Sequence, residues 1–327
     1  MDTLEYIKEQ ISRAVYVSKD LVGLEDVLTH IERAEVMLKI GRTNDDDHYC
    51  TDVIYRTNHA YEGILKEAYY VLAEKSANHV TPNNIEKYLL EENILKERVV
   101  KLLENYRREW RNTSTHDYRL FFNSGEAFLA ILSVTAFVHL LLIQILDKLF
   151  YNSEMARISP FIESIKNKFN KDYDSQSFVQ KVKMLLMSYD GNLHKDESDN
   201  RLSFLTEREF LQGITAHINS IDNSLEVLTE PTFENEISLR PDMIIQNHDG
   251  NFVLVELKIY KKLRKSTISQ SDINQMITYL TKIKINDGFL VLLPRNISSE
   301  TQLICNIKTM DVGKETINIH VIQEEIR

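Results

Sequence analysis

Three residues in the last third of the chain, Asp242, Glu256 and Lys258, have the types and spacing that hydrolytic chemistry needs. Apolar, β-branched stretches flank residues 247–251, which contain an Asp-Gly pair. Such a pair between two apolar stretches is typical of a tight turn that joins antiparallel strands. In a hairpin centred on Asp249, Asp242 and Glu256 face each other, with Cβ atoms about 4.5–5.5 Å apart.

These facing carboxylates predict a divalent-cation site. Two carboxylates at that separation repel each other unless a cation lies between them, and oxygen ligands of this kind suit Mg²⁺ or Mn²⁺. Lys258 is two residues beyond Glu256, so both side chains project from the same face of the strand. A bound metal ion would neutralise phosphate charge and activate a water, and the ammonium group would stabilise the pentacovalent phosphate or position the water. We therefore predict phosphodiester hydrolysis, with Asp242 and Glu256 as metal ligands and Lys258 as a catalytic residue.

The strings Pro241-Asp242 and Glu256-Leu257-Lys258 resemble the signature of the PD-(D/E)xK nuclease superfamily. The resemblance covers residues 201–327. In RecB-like members the helix after the hairpin carries a Gln-x-x-x-Tyr element, and Gln275 and Tyr279 match it, one helical turn apart. The resemblance implies a restriction-endonuclease-like α/β fold in which these two residues support the site.

Many members of this superfamily also place a glutamate on the first core helix. Glu207 lies on the same helical stripe as Phe210, Leu211, Ile214 and Ile218, so we predict that it reaches the site. Glu209 is the alternative. The basic residues that follow the site are either a solvated loop or a contact to the phosphate backbone: Lys261, Lys262, Arg264 and Lys265.

A second candidate site lies in the first half of the chain, in the string Arg111-Asn112-Thr113-Ser114-Thr115-His116. Asn112 and His116 are one helical turn apart and share a face. The three hydroxyl residues between them favour helix caps over helix interiors. We therefore expect Arg111 at a helix end or bend and His116 on the helix that follows.

This string resembles the Arg-x4–6-His motif of HEPN domains, in its Arg-Asn-x-x-x-His form, and the resemblance covers residues 1–150. It implies a helical bundle that forms homodimers and cleaves RNA without a metal ion. His116 would then act as general base or acid near neutral pH, Arg111 would brace the phosphate, and Asn112 would orient the histidine or the substrate. The alternative is that Arg111 caps a helix and His116 has a structural role.

The periodicity of apolar residues predicts the elements that position both sites. In residues 1–150 apolar positions recur three and four apart, which is typical of amphipathic helices. Residues 151–200 read as a helical connector that ends in a polar stretch. Residues 201–327 read as helix, hairpin, helix and strand, which is an α/β arrangement. The predicted fold is thus an all-α bundle followed by an α/β domain.

Composition restricts the partners and the compartment. The net charge of −10 argues against a protein that coats nucleic acid along its whole surface, but not against a local site. Two cysteines far apart in sequence favour a reducing, cytoplasmic setting. Residues 127–146 lack charged side chains and are long enough to span a bilayer. Because polar residues interrupt this run and no basic cluster adjoins it, we predict a buried bundle helix and no membrane contact.

The two sites together predict a two-domain nuclease. The C-terminal domain would hydrolyse nucleic acid, DNA first, and the helical domain would dimerise and could also cut RNA. Such combinations resemble prokaryotic systems of defence against phage. The alternative is a non-catalytic sensor or scaffold in which one or both sites are inactive.

Overall fold

The computed structural model describes residues 3–112, 121–169, 173–190, 206–231, 239–260, 268–294, 302–313 and 315–325. Contacts within the chain divide it into two compact units, Met1–Leu149 and Phe150–Arg327. The first unit is helical and the second contains a six-stranded mixed sheet. The predicted fold class, a helical bundle followed by an α/β domain, is therefore confirmed.

The helices of the first unit follow the predicted apolar periodicity. Their bounds are α1 Thr3–Val17, α2 Gly23–Asn44, α3 Asp47–Leu72, α4 Pro82–Glu91, α5 Glu97–Tyr106 and α6 Ser124–Ile158. A five-residue π-helical turn, Arg107–Arg111, continues α5. Thr81 caps α4 by accepting a hydrogen bond from the Asn84 N–H, and Pro82 occupies its first turn.

Helix α6 contains the uncharged run noted in the sequence, and the division between the two units falls within it. Among the described helices, it is the one whose length and composition would suffice to cross a membrane. The most apolar 18-residue stretch of this helix is 61% buried inside the fold. The core helix of a helical bundle is also mostly buried. Phe128, Leu129 and Leu132 on this helix are about half exposed.

The sheet of the second unit has the strand order β1-β2-β3-β4-β6-β5. Its strands are β1 Leu225–Thr229, β2 Met243–Asn247, β3 Phe252–Tyr260, β4 Asp287–Pro294, β5 Leu303–Val312 and β6 Glu315–Glu324. The pairs β3/β4 and β4/β6 are parallel, and the other neighbouring pairs are antiparallel. The remaining helices are α7 Ile162–Lys168, α8 Phe178–Met187, α9 Glu207–Ile221 and α10 Gln270–Ile283.

Helices cover both faces of this sheet, which explains the near-continuous apolar runs of β3 and β4. On one face α8 and α9 pack against Val255, Leu257 and Phe289. On the other face α10 packs against Leu254 and Leu290. Helix α8 lies in the stretch predicted as a connector, and its apolar side chains are buried in the core of the second unit.

Candidate active site

The β2–β3 hairpin has the register that the turn sequence predicts. Met243 pairs with Val255 and Ile244 with Leu254, so the pairing is centred on Asp249. One step further along the same register brings Asp242, the residue before β2, opposite Glu256 on β3. The chain thus places the two predicted carboxylates across from each other at the end of the hairpin.

Asp242 is held in this position by bonds to both neighbouring strands. Its Oδ2 accepts a hydrogen bond of 2.7 Å from the backbone N–H of Leu257. Its backbone carbonyl accepts a bond of 2.8 Å from the N–H of Glu230, the residue after β1. The half-buried carboxylate therefore lies beside β3, next to Glu256.

The Glu256 carboxylate is buried, with 2% of the residue exposed, and its two oxygens differ. Oε1 accepts hydrogen bonds from Lys258 Nζ at 2.7 Å and from Gln275 Nε2 at 2.8 Å. Oε2 is buried and has no hydrogen-bond partner. An unsatisfied buried carboxylate oxygen is costly unless a proton or a positively charged ligand satisfies it.

Helix α10 connects Glu256 to the segment that carries Asp242. Ser269 caps this helix by accepting from the Asp272 N–H. Besides its bond to Glu256, Gln275 Nε2 also donates to Tyr279 Oη at 2.9 Å. Tyr279 Oη in turn donates to the backbone carbonyl of Arg240 at 3.3 Å. The predicted Gln and Tyr pair therefore fixes the glutamate and the chain just before Asp242.

Burial and mutual repulsion make both carboxylates harder to ionise. Burial raises the pKa of Asp242, and the charge of Glu230 adds to this, whereas the Leu257 N–H and Lys258 oppose it. Burial and the charge of Asp242 raise the pKa of Glu256, against the opposing effects of Lys258 and of the backbone N–H of Asp242. Both pKa values shift in the direction that binding of a cation would reverse.

At Lys258 the neighbouring carboxylates have a larger effect on the pKa than burial has. Burial by itself lowers the pKa of an ammonium group. At Lys258 the hydrogen bond to Glu256 and the charges of Glu256, Asp242 and Glu207 outweigh burial and raise the pKa. The side chain therefore stays protonated at neutral pH.

The structure distinguishes the two glutamates at the start of α9. Partial burial and the charge of Asp242 raise the pKa of Glu207, and Lys258 opposes the shift, so Glu207 lies within electrostatic range of the site. Glu209 instead forms a capping box with Thr206: its Oε2 accepts from the Thr206 N–H at 2.6 Å. Of these two glutamates, Glu207 is thus the one whose charge is coupled to Asp242 and Lys258.

Glu230 is a site neighbour that the sequence reasoning missed. Its charge acts on Asp242, and its own carboxylate binds Arg208 Nη1 at 2.9 Å. Its φ of 49° lies in the left-handed region, where a non-glycine residue is uncommon. No sequence pattern marks this residue, because its place depends on how the chain turns after β1.

The residues of the site fit a magnesium-like ion. Within the described ranges, no group of three or more His, Cys, Asp or Glu residues is arranged to hold a metal ion. A hard cation such as Mg²⁺ needs only one or two carboxylates, because waters and phosphate oxygens complete its coordination. Asp242 and Glu256, with the unpartnered Oε2, supply such a pair.

Arg111, the centre of the second predicted site, occupies the last position of the π-helical turn. Its guanidinium contacts two carboxylates, Glu62 Oε1 at 3.3 Å and Glu86 Oε1 at 3.3 Å. Glu86 is 1% exposed and also contacts Arg107 at 3.4 Å. Arg111 is expected at a helix end or bend and lies in a π-helical turn, where its side chain has well-defined partners inside the bundle.

Asn112 of the second predicted site can be placed in the structure, whereas His116 and the basic cluster after the first site cannot. Asn112 is exposed and directly follows the π-helical turn. His116 lies outside the described residues, and so do the four basic residues Lys261, Lys262, Arg264 and Lys265. The structure thus locates Arg111 and Asn112 without locating the histidine.

Part of the second unit is similar to a known protein family. Residues 209–294 match the family model described as McrBC, 5-methylcytosine restriction system component. The matched segment runs from α9 to the end of β4 and includes Asp242, Glu256 and Lys258. No curated protein and no solved structure matches the chain significantly. The similarity to a restriction component is compatible with a nuclease role and with contact to nucleic acid.

Proposed function

We propose that the second unit is a metal-dependent nuclease of the PD-(D/E)xK type that hydrolyses phosphodiester bonds in DNA. The observation that carries the proposal is Glu256 Oε2, a buried carboxylate oxygen without a partner in the electrostatic field of Asp242. Such an atom is stable beside a cation and costly without one. In this proposal Asp242 and Glu256 hold Mg²⁺ or Mn²⁺, with waters as the other ligands.

Each residue then has a distinct task. A bound divalent cation neutralises phosphate charge and lowers the pKa of an attacking water. Lys258 keeps its proton and donates to a phosphate oxygen as negative charge develops there. Gln275 holds the Glu256 carboxylate in one orientation, and Tyr279 anchors Gln275 to the backbone at Arg240. Glu207 adds a third negative charge near Lys258, which helps to keep the lysine protonated.

We assign this activity to prokaryotic anti-phage defence in the cytoplasm. The similarity of residues 209–294 to a 5-methylcytosine restriction system component supports both the defence role and the choice of DNA. Two free cysteines, Cys50 and Cys305, suit a reducing compartment. The net charge of −10 requires that contacts to the phosphate backbone be local.

For the first unit we propose a HEPN-like bundle through which two copies of the chain associate. In this proposal His116 and Arg111 cut RNA without a metal ion, and Asn112 orients the histidine or the substrate. A second candidate function is favoured by the contacts of Arg111 with Glu62 and Glu86. Because these carboxylates occupy its guanidinium, the bundle would be a non-catalytic sensor or scaffold that Arg111 stabilises. If the chain cleaves RNA without a metal ion and His116→Ala abolishes the cleavage, the bundle is a ribonuclease. If no such cleavage is found, the bundle is a sensor or scaffold.

The nuclease proposal is tested by incubating the full chain with methylated and unmethylated plasmid DNA in Mg²⁺, Mn²⁺ or EDTA. We expect cleavage with either metal, none in EDTA, and loss of cleavage in Asp242→Asn and Lys258→Ala. The matched control is Asp249→Asn, the same change at the exposed tip of the hairpin, which should cut like the wild type. Cleavage that persists in Asp242→Asn would contradict the proposed role of this site.

A further inference from the structure

Two arginines, Arg208 and Arg240, border the candidate active site of the second unit. Arg208 is the second residue of α9, whose first turn is fixed by a capping box. Arg240 precedes Asp242 by two residues, and its backbone carbonyl accepts the hydrogen bond from Tyr279. The fold therefore anchors the backbone of both arginines close to the carboxylates of the site.

The guanidinium of Arg208 is paired with Glu230, since Nη1 lies 2.9 Å from Oε1. The backbone N–H of Glu230 donates to the carbonyl of Asp242 at 2.8 Å. Burial, and then the charge of Glu230, raises the pKa of Asp242, so the two carboxylates act on each other. A single residue thus connects Arg208 to a proposed metal ligand.

Helix stability does not explain an arginine at this place. The dipole of a helix favours anions in the first turn and disfavours cations. The side chains of Arg208 and Glu230 are 31% and 52% exposed, and ion pairs this accessible contribute little to stability. Glu230 also has a left-handed φ of 49°, and strained backbone of this kind concentrates at ligand-binding sites. The pair can therefore open at little cost when another anion competes for Arg208.

A metal ion would reverse the charge of this surface. Four carboxylates and three cations lie in or beside the site: Glu207, Glu230, Asp242, Glu256, Lys258, Arg208 and Arg240. Their formal charges sum to −1, and a divalent cation changes this to +1. A loaded site therefore attracts an anionic backbone, and the forked donors of arginine match phosphate oxygens.

We propose that Arg208 and Arg240 bind phosphates of the DNA backbone next to the scissile one, and that Glu230 occupies Arg208 until DNA displaces it. The inference rests on the proposed nuclease function, in which the metal ion and Lys258 act on the scissile phosphate itself. Arg240 is exposed, and the described part of the chain shows no ion pair for its side chain. With a net charge of −10, binding of DNA depends on such local cations.

Fluorescence anisotropy of the full chain with a cleavage-resistant phosphorothioate duplex in Mg²⁺ tests the proposal, because binding is then measured without cleavage. Arg208→Ala and Arg240→Ala should each weaken binding about tenfold. Each should also reduce the slope of log K against log salt concentration by about 0.9, the value for one lost phosphate contact. The matched control is Lys308→Ala, which removes an exposed cation from β5 and should bind like the wild type.

Glu230→Gln distinguishes a displaceable partner from a structural ion pair. It should tighten binding about threefold, the size expected for the loss of an exposed ion pair that competes with DNA. In the Arg208→Ala background the same change should have no effect, because the competition is already absent. Tightening that persists without Arg208 would overturn the role of Glu230.

Unchanged affinity and salt slope in either arginine variant would overturn the role of that arginine. These outcomes are separate from the nuclease proposal. A chain that binds the duplex through the arginines and never cuts DNA would contradict only the nuclease proposal. A chain that cuts DNA and binds it equally well without the arginines would contradict only the present inference.

Discussion

The backbone N–H of Leu257, the residue after Glu256, donates a hydrogen bond of 2.7 Å to Asp242 Oδ2. This bond links the end of one strand to the strand beside it at the point where the two carboxylates face each other. It also leaves Asp242 Oδ1 and Glu256 Oε2 as the oxygens without a hydrogen bond to described residues. The hairpin itself therefore fixes the geometry of the candidate metal site.

Gln275→Leu should reduce activity without unfolding the sheet. The amide donates to Glu256 and to Tyr279, so its loss frees the glutamate to rotate away from Asp242. Replacing residues that orient metal ligands typically costs 10- to 100-fold in metal affinity or activity, and we expect a loss in this range. Mn²⁺ titration and cleavage rates measure it. Gln270→Leu, an exposed change on the same helix, is the control, and an equal loss there would remove the positioning role.

Glu256→Gln should raise the melting temperature in EDTA and abolish its rise with Mn²⁺. A carboxyl whose folded pKa is raised destabilises the fold as pH rises above its unfolded value, about 4.3. At pH 7 without metal, the uncharged amide avoids this destabilisation. In the wild type, Mn²⁺ at 100 times its Kd should add about 2.7 kcal/mol to the free energy of unfolding. A variant that Mn²⁺ stabilises as much as it stabilises the wild type would show that Glu256 is not a ligand.

The stability of the second unit should fall between pH 6.5 and 9 because of His320. Its Nε2 lies 2.9 Å from Asp287 Oδ1. Burial alone would lower the pKa of His320, but Asp287 and Cys305 raise it to about 9. A raised pKa contributes stability that is complete below the unfolded value of about 6.5 and is lost as pH rises through about 9. The stability that the charged imidazole contributes therefore declines between these two pH values.

Urea unfolding at several pH values measures this dependence. His320→Gln keeps a donor for Asp287 but cannot take up charge, so its stability should vary less over this range than that of the wild type. His248→Gln, in the exposed turn of the hairpin, serves as the control and should follow the wild type. Parallel curves for the wild type and His320→Gln would contradict the assignment.

Arg111→Ala should destabilise the helical unit. The Glu86 carboxylate is almost completely buried and would lose one of the two arginines that contact it, while Arg107 remains. Breaking a buried ion pair by removing one partner costs about 3–5 kcal/mol, and because Arg107 remains we expect about 3 kcal/mol. Urea unfolding measures the loss, and Arg108→Ala, whose side chain is 75% exposed, is the control. Unchanged stability would favour a role for Arg111 in binding or catalysis over a structural one.

The central hairpin could be predicted because its register depends on local chemistry. The turn around Asp249 and the two apolar flanks determine which residues pair, and the observed register agrees. The edge strands β1 and β5 were not predicted. Strand β1 has only five residues, and all four residues of β5 from Asn306 to Thr309 are exposed, so neither strand shows a strong apolar pattern. Their positions depend on long-range pairing that no local motif reports.

The role of Glu209 as a helix cap could have been predicted from the sequence. The string Thr206-Glu207-Arg208-Glu209 matches the capping-box pattern, in which the fourth residue bonds back to the cap. That pattern assigns Glu209 to the helix end, so Glu207 stays the predicted site residue of the two. Glu230 offers no comparable signal, because it approaches Asp242 only through the fold of the sheet.

The most direct test of the central claim is a crystal structure of the full chain soaked in Mn²⁺, with anomalous diffraction measured to locate the ion. The account predicts one manganese ion within bonding distance of both Glu256 Oε2 and an oxygen of Asp242, with Lys258 beside it. A map that shows no ion between these two carboxylates at saturating Mn²⁺ would contradict it, and so would an ion bound to other side chains.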